Sequence, residues 1–122
     1  MPKTKQLLTG AEAKIIGAIW ERPGRTMMEI TAALEDETGW SKHTVTTLLK
    51  RMVGKGTVVM DASGPVRRYF PAIAREEMAR RETRGLLERF YGGSAARLMR
   101  DLLAEGLLSR ADIEDLLHTK DA

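Results

Sequence analysis

Side chains that could do chemistry are concentrated in residues 41–51, where hydroxyls and cations are interspersed with apolar residues. Val45, Leu48, Leu49 and Met52 have the i, i+3, i+4, i+7 spacing of one apolar helix stripe. The opposite face then carries hydroxyl, imidazole and ammonium groups, which can hydrogen-bond to phosphates and base edges. The pattern predicts a short helix whose outer face binds duplex DNA.

The candidate DNA-binding residues fall into two chemical groups. Threonines can hydrogen-bond to bases and press a methyl group on thymine, and threonine is a poor helix former, so three within residues 44–47 favour binding over a plain exposed surface. The cations are expected to bind phosphates, which anchors a protein without reading sequence, although Arg51 could instead pair with an acid on a neighbouring helix. The candidates are Lys42, His43, Thr44, Thr46, Thr47, Lys50, Arg51, Arg67 and Arg68.

The segments around this helix predict the element that positions it. Ser41 is a suitable N-cap, Gly54 and Gly56 bracket the C-terminus, and residues 57–61 and 66–71 are strand-like on either side of a turn at 62–65. This predicts a β wing that contacts the DNA backbone or the minor groove. Adjacent strand residues point to opposite sides, so only one of Arg67 and Arg68 faces DNA, and the sequence leaves open which.

Two capping signatures predict the helices that precede the recognition helix. Thr9 and Glu12 have capping-box spacing at the start of a helix that runs to about Glu21. Thr26 and Glu29 repeat the signature before a second helix that runs to about residue 38. The fold class predicted for residues 1–72 is therefore a winged helix-turn-helix DNA-binding domain, mainly α with a small β wing.

Residues 73–122 predict a separate helical dimerisation region. Helices are expected at 73–91, at 94–105 and from Ser109, and they are too thin to form a core alone. Their apolar side chains would leave an exposed patch, which a second copy of the chain would bury; packing back onto the same subunit is the alternative. The dimerisation candidates are Leu86, Phe90, Leu98, Met99, Leu102, Leu103, Ile113, Leu116 and Leu117.

Composition limits the class of protein. The chain has 122 residues, 43% of them apolar, no window long enough for a membrane span and no apolar run at its start typical of a signal peptide. A cytoplasmic location is expected. Net charge is +3, and residues 1–72 hold eleven Lys/Arg against seven Asp/Glu, whereas residues 73–122 hold nine against ten. This basic excess suits phosphate contacts by the first region, although chance imbalance on a solvated surface gives the same numbers.

Catalysis, cofactors and metals find little support in the sequence. With no cysteine, His43 and His118 make a poor metal site, and the acids at 112, 114 and 115 are better explained as the electronegative start of a helix. No nucleophile–base pair or phosphate-binding glycine loop is present. We expect no enzyme activity, no cofactor and no metal. The main alternative to DNA binding is a winged-helix module that binds another protein.

The ordered motifs resemble those of the penicillinase-repressor family of bacterial regulators, the BlaI/MecI type, with the copper-responsive CopY proteins as relatives. The resemblance covers nearly the whole chain and its motifs are fairly specific as a set. The matching stretches are Leu8–Glu12 with Ile19-Trp20, Trp40–Val45, Thr47–Met52, Lys55-Gly56, Arg68–Pro71, Phe90–Gly93, and Leu108-Ser109 with Ile113–Leu116.

The resemblance implies a homodimeric repressor that binds double-stranded operator DNA. In the β-lactam branch it also implies a membrane sensor metalloprotease as a partner and cleavage in the helix after the Gly-Gly break, at a bond that corresponds to Asp101–Leu102. This chain departs from the family in three ways. The residue pair at that bond differs, the C-terminal cysteine cluster of the copper branch is absent, and a family arginine on the recognition helix is replaced by Thr46.

Overall fold

The computed structural model describes residues 8–119, which divide into two compact units at residues 8–81 and 82–119. Helices predominate and the described strands form one two-stranded sheet, so the predicted fold class is confirmed. The outer ends of the predicted regions 1–72 and 73–122, and the residues that argue against a signal peptide, lie outside the described residues. The elements are α1 (Gly10–Glu21), α2 (Met27–Ala33), α3 (Glu35–Thr38), α4 (Lys42–Lys55), β1 (Val58–Asp61), β2 (Arg68–Pro71), α5 (Arg75–Phe90), α6 (Ala95–Ala104) and α7 (Arg110–Leu117).

The first unit is built around an apolar core to which α1, α2, α4, both strands and the start of α5 contribute. Both predicted capping boxes form: the Thr9 hydroxyl accepts the Glu12 N–H at 3.1 Å and the Thr26 hydroxyl accepts the Glu29 N–H at 3.2 Å. Each box satisfies orphan N–H groups at a helix start and thereby fixes where the helix begins. The largest fully buried side chains are Ile15, Ile16, Ile19, Ile30, Leu49, Met52, Glu12, Val45 and Val58.

The second helix is interrupted, and the prediction of one continuous helix to about Thr38 is wrong. Helix α2 ends at Ala33, Leu34 has φ −102° and ψ 3°, and the single turn of α3 follows. Leu34 is only 7% exposed. The Leu34 N–H still donates to the Ile30 carbonyl at 3.1 Å and the Leu34 carbonyl still accepts the Thr38 N–H at 2.9 Å, so the interruption is a local change of backbone angle at one buried residue.

The wing is an antiparallel hairpin in which Val58 pairs with Pro71 and Asp61 with Arg68. Its strands are shorter than predicted, and residues 66 and 67 precede β2 rather than belonging to it. An isolated bridge joins Arg25 to Tyr69, so the turn after α1 hydrogen-bonds to β2. The hairpin is thereby fixed to the helical core at its base.

The first turns of α5 complete the first unit. The Trp20 indole N–H donates to the Ile73 carbonyl at 2.9 Å, and the Arg75 guanidinium lies 5.1 Å from the centre of the Trp20 ring. Met78 is buried in the same core. The compact unit therefore extends to residue 81, beyond the wing. The division of labour between DNA binding and dimerisation stays a prediction.

The second unit contains the rest of α5 with α6 and α7, and its apolar side chains are largely uncovered. Left-handed Gly92 and Gly93, with φ 58° and 82°, separate α5 from α6. Helices α6 and α7 have no buried residue. Throughout residues 8–119, every helix is too short or too polar to cross a bilayer.

Candidate nucleic-acid interface

Helix α4 presents its outer face because the opposite face is buried. The Ser41 hydroxyl accepts the Thr44 N–H at 3.2 Å and fixes the start of the helix, and left-handed Gly56, with φ 84°, ends it. Gly54 lies inside the last turn. The buried stripe is the predicted one, at most 7% exposed: Val45, Leu48, Leu49 and Met52.

The threonine hydroxyls on α4 differ in how they are engaged. The Thr47 hydroxyl donates to the His43 carbonyl at 3.0 Å, and the Thr44 and Ser41 hydroxyls lie 3.2 Å apart in a shared hydrogen bond. Among the described residues, the Thr46 hydroxyl has no hydrogen-bond partner. Thr46 can therefore donate or accept, whereas Thr47 keeps its oxygen lone pairs for an outside donor such as a base amino group.

The cations of α4 are exposed, but they are not equivalent. Lys42 and Lys50 form no ion pair within the described part of the chain, and His43 is exposed beside them. Arg51 is exposed too, and its charge helps to lower the pKa of Glu12 on α1. Arg51 therefore lies near an acid of a neighbouring helix, which is the alternative that the sequence leaves open for it.

The two wing arginines point to different sides. The Arg68 guanidinium donates to the Gly24 carbonyl at 3.0 Å, at the turn between α1 and α2. Arg67 instead lines the surface between the wing and α4, next to Thr46 and Lys50. The structure thus places Arg67, and not Arg68, on the side of the candidate DNA contacts.

Two surface cavities lie where the wing approaches α4. The larger, which we call the wing groove, has a volume of about 330 Å³. Its lining consists of Thr26, Met27, Met28, Thr46, Val66, Arg67 and Tyr69. The smaller, of about 210 Å³, is lined by Lys50, Val53, Met60, Arg67 and Tyr69. Thr46, Lys50 and Arg67 therefore meet at one surface, which would face any duplex that lies along α4.

An ion pair anchors the far end of α4. The Lys55 ammonium lies 2.8 Å from Oε1 of Glu12, a carboxyl with no exposed surface. Burial raises the pKa of Glu12, but hydrogen bonds from Lys55 and the Thr9 N–H, with the charges of Lys55 and Arg51, together hold that pKa below its usual value. Glu12 is therefore an anion that joins the start of α1 to the end of α4.

Sequence reasoning missed two side chains at this surface. Met28 is 51% exposed and Val66 is 47% exposed, and both line the wing groove. The sequence does indicate an apolar side chain on the outside of a helix at Met28. However, Met28 and Val66 become neighbours only through the tertiary fold, which the sequence pattern does not predict. They give the groove an apolar wall that suits sugar or thymine methyl contacts.

The predicted dimerisation residues lie in the second unit and none is fully buried. Leu86, Leu98, Leu102 and Ile113 are half-buried. The exposed ones are Phe90 at 71%, Met99 at 37%, Leu103 at 44%, Leu116 at 56% and Leu117 at 78%. Leu107, which the sequence reasoning did not include, is 72% exposed. Whether a second copy covers them stays a prediction.

The candidate cleavage bond between Asp101 and Leu102 lies inside α6. The Tyr91 hydroxyl donates to Asp101 Oδ2 at 2.8 Å, and this hydrogen bond, with burial and nearby carboxylate charge, raises the pKa of the Tyr91 phenol. The Leu102 carbonyl accepts the N–H groups of Leu107 and Leu108 at 2.9 and 3.1 Å. The bond is thus held in helical geometry from both sides.

The acids at 112, 114 and 115 lie in the first two turns of α7. Across residues 8–119, no three His, Asp or Glu side chains are grouped closely enough to hold an ion. Asp112 instead accepts the Ser109 N–H at 2.9 Å as part of a capping box on α7. This agrees with its interpretation as the electronegative start of a helix.

Comparison with known proteins gives a consistent set of relatives. The family model described as "Penicillinase repressor" matches residues 8–121. The penicillinase repressor of Bacillus licheniformis is 28% identical over 116 residues, which cover 95% of this chain and 90% of that protein. The methicillin resistance regulatory protein MecI of Staphylococcus aureus strain N315 is 20% identical over 109 residues, 89% of each.

Two solved structures share the fold. One is the solution structure of the monomeric form of Bacillus licheniformis BlaI in complex with the blaP half-operator, with a TM-score of 0.52 and 28% identity, covering 63% of this chain and 93% of that one. The other is the DNA-binding domain of the repressor BlaI, with a TM-score of 0.53 and 26% identity, covering 62% and 93%.

Proposed function

This chain belongs to the penicillinase repressor family, and we propose that it is a DNA-binding transcriptional repressor that acts as a homodimer. One observation carries the proposal: Thr46, Lys50 and Arg67 converge on one exposed surface between α4 and the wing. Hydroxyl, ammonium and guanidinium groups are the donors that proteins use on base edges and phosphates. The relative whose structure was solved on a half-operator supports the same role for the first unit.

The proposed mode of binding places α4 in the major groove and the wing beside it. That relative binds a half-operator as a monomer, so a full operator for this chain would hold two half-sites and two subunits. Half-sites read by paired helices lie about one helical turn, ~34 Å, or a multiple of it apart. The threonines of α4 would read bases and its lysines would bind phosphates.

The second unit would join the subunits. Its exposed leucines and Phe90 are apolar surface that a two-fold partner would cover with the same residues. Linking two DNA-binding units raises the overall affinity for paired half-sites by about 10² or more, without a new DNA contact. Dimerisation would therefore control repression.

Relief of repression would follow loss of that link. In the β-lactam branch of the family, a membrane sensor metalloprotease triggers cleavage, and the corresponding bond here is Asp101–Leu102. A cut there would separate α7 and the end of α6 from the DNA-binding unit. Copper sensing through a cysteine cluster is not available to this chain, which has no cysteine. We propose that the protein acts in the cytoplasm, where it binds operator DNA. We also propose that it is not an enzyme.

The test is a gel shift with the duplex upstream of the protein's own coding region, against a scrambled duplex of equal composition, followed by sedimentation of the complex. We expect preferential binding of the upstream duplex and two chains per operator. Equal, weak binding of both duplexes would refute operator recognition and favour a winged helix that binds another protein. A single chain per operator would leave repression standing and refute the homodimer.

A further inference from the structure

We propose that Arg67 is a specificity-determining residue whose guanidinium reads a guanine in the major groove beside α4. The inference rests on the proposed DNA-binding function and adds to it. It assigns a base-reading role to the wing, which the sequence alone predicts to contact backbone or minor groove.

Arg67 lies just before β2 and is exposed, and its position is given by the two cavities that it lines together with Tyr69. Arg67 lines the wing groove with Thr46 and the smaller cavity with Lys50. Thr46 and Lys50 are one turn apart on α4, so the Arg67 side chain runs beside the middle of the outer face of the helix.

The surroundings of Arg67 leave its charge unneutralised. Of the described residues that line the two cavities, none is Asp or Glu, whereas Lys50 adds a second cation. Arg67 forms no hydrogen bond or ion pair within residues 8–119. Two cations at one surface without an acid favour a ligand that offers acceptor atoms.

Arg68 is the internal contrast. Its guanidinium donates to the Gly24 carbonyl at 3.0 Å, and its charge lowers the pKa values of Glu29 and Asp61. Its donors are therefore partly used in holding the wing to the core. Of the two arginines, only Arg67 keeps all of its guanidinium N–H donors for an outside acceptor.

The neighbours of Arg67 favour a base edge over a phosphate. Arg67 shares the wing groove with Thr46, Met28 and Val66, a hydroxyl and two apolar side chains that match base edges and thymine methyls better than a charged backbone. The middle of the outer face of α4 provides hydroxyl, imidazole and ammonium groups but no guanidinium. Guanine O6 and N7 accept two parallel hydrogen bonds from an arginine guanidinium, which is the commonest specific contact to a base. Arg67 supplies the guanidinium that the middle of the outer face of α4 lacks.

The experiment begins with selection of preferred duplexes from a random-sequence pool by the wild-type chain. Affinities are then measured by fluorescence anisotropy for the selected duplex, a scrambled duplex, and selected duplexes in which each guanine in turn is 7-deazaguanine. That base lacks the N7 acceptor but keeps pairing and charge. The proteins compared are wild type, Arg67→Lys and the matched control Arg68→Lys, with thermal unfolding to check the fold.

We expect one 7-deazaguanine position per half-site to weaken wild-type binding about five- to tenfold. The Arg67→Lys variant should bind the unmodified selected duplex about tenfold or more weakly than wild type, and 7-deazaguanine at that position should not weaken its binding further. It should bind the scrambled duplex with wild-type affinity, because lysine replaces arginine at a phosphate but not at a bidentate base contact. Arg68→Lys should keep the wild-type profile.

Two results separate the possible failures. If Arg67→Lys keeps the wild-type affinity and the wild-type 7-deazaguanine profile, the base-reading role is refuted while the proposed function stands. If the wild-type chain enriches no sequence from the pool, the proposed function itself fails, and this inference fails with it.

Discussion

The Lys55 ammonium, at the end of α4, lies 2.8 Å from the buried Oε1 of Glu12, in the first turn of α1. The same carboxyl accepts the Thr9 N–H at 2.9 Å and so completes the capping box. One side chain therefore starts α1 and fixes the far end of the helix that carries the candidate DNA contacts.

Glu12→Gln should destabilise the first unit by about 1–2 kcal/mol, because glutamine keeps the cap but loses a charge-assisted hydrogen bond, while partly exposed Lys55 rehydrates. Denaturant unfolding monitored by tryptophan fluorescence measures this loss. Glu29→Gln is the matched control, since Glu29 holds the same position in the capping box of α2 with a surface partner, Arg22. An equally large loss in both variants would contradict a stabilising effect specific to the buried link between Glu12 and Lys55.

The stability difference between wild type and Glu12→Gln should shrink as the pH falls. The pKa of Glu12 is lower in the folded chain than its ordinary value of 4.5. A carboxyl with a lowered pKa contributes its stabilisation fully above the unfolded pKa and loses it as the pH falls through the folded one. Unfolding free energies at a series of pH values from neutral to below 4.5 test this. A constant difference across that range would contradict the ion pair.

Local patterns in the sequence predict the α4 surface well, because the apolar stripe, Ser41 cap and Gly56 end all act within a few residues. The orientation of Arg67 and Arg68 escapes such reasoning. It depends on where β2 begins and on a hydrogen bond from Arg68 to Gly24, which is 44 positions away in the chain. The link between Glu12 and Lys55 spans 43 positions, and neither residue carries a local sign of it. Likewise, no glycine or proline in the sequence marks the interruption of the helix at Leu34.

Lys50→Ala should weaken binding to every DNA sequence and reduce the slope of log K against log salt by about 1, because one phosphate contact is lost. Lys50 is exposed on the outer face of α4 and lines the cavity beside the wing. Anisotropy titrations over a range of salt concentrations give the slope. Lys14→Ala is the control, since Lys14 lies on α1 in an ion pair with Glu37. An unchanged slope for Lys50→Ala would show that Lys50 does not contact a phosphate.

Leu103→Asp should convert the proposed homodimer to a monomer without unfolding the chain. Leu103 is 44% exposed on the apolar side of α6, so a carboxylate is tolerated in a free subunit but would be desolvated beside a partner. Sedimentation equilibrium measures the change. Ala104→Asp is the control, because residue 104 lies on the opposite side of the same helix, and this variant should stay dimeric. If the Leu103→Asp variant stays dimeric, the contact between subunits does not include Leu103.

Ser94→Ala should make α6 easier to cut. A protease needs an extended chain, and the Asp101–Leu102 bond is held in a helix whose first turn is capped by the Ser94 hydroxyl, which accepts the Arg97 N–H at 3.2 Å. Loss of an N-cap costs about 1 kcal/mol, so the locally opened state should become about fivefold more populated.

Limited proteolysis with a non-specific protease, followed by mass spectrometry, measures cutting within residues 95–104. Ser109→Ala removes the matching cap of α7, where the Asp112 N–H donates to the Ser109 hydroxyl at 3.0 Å, and should leave the rate of cutting in α6 unchanged. If both variants are cut in α6 at the wild-type rate, opening of this helix does not limit access to the Asp101–Leu102 bond. Cleavage there would then need a different route, such as unfolding of the whole second unit.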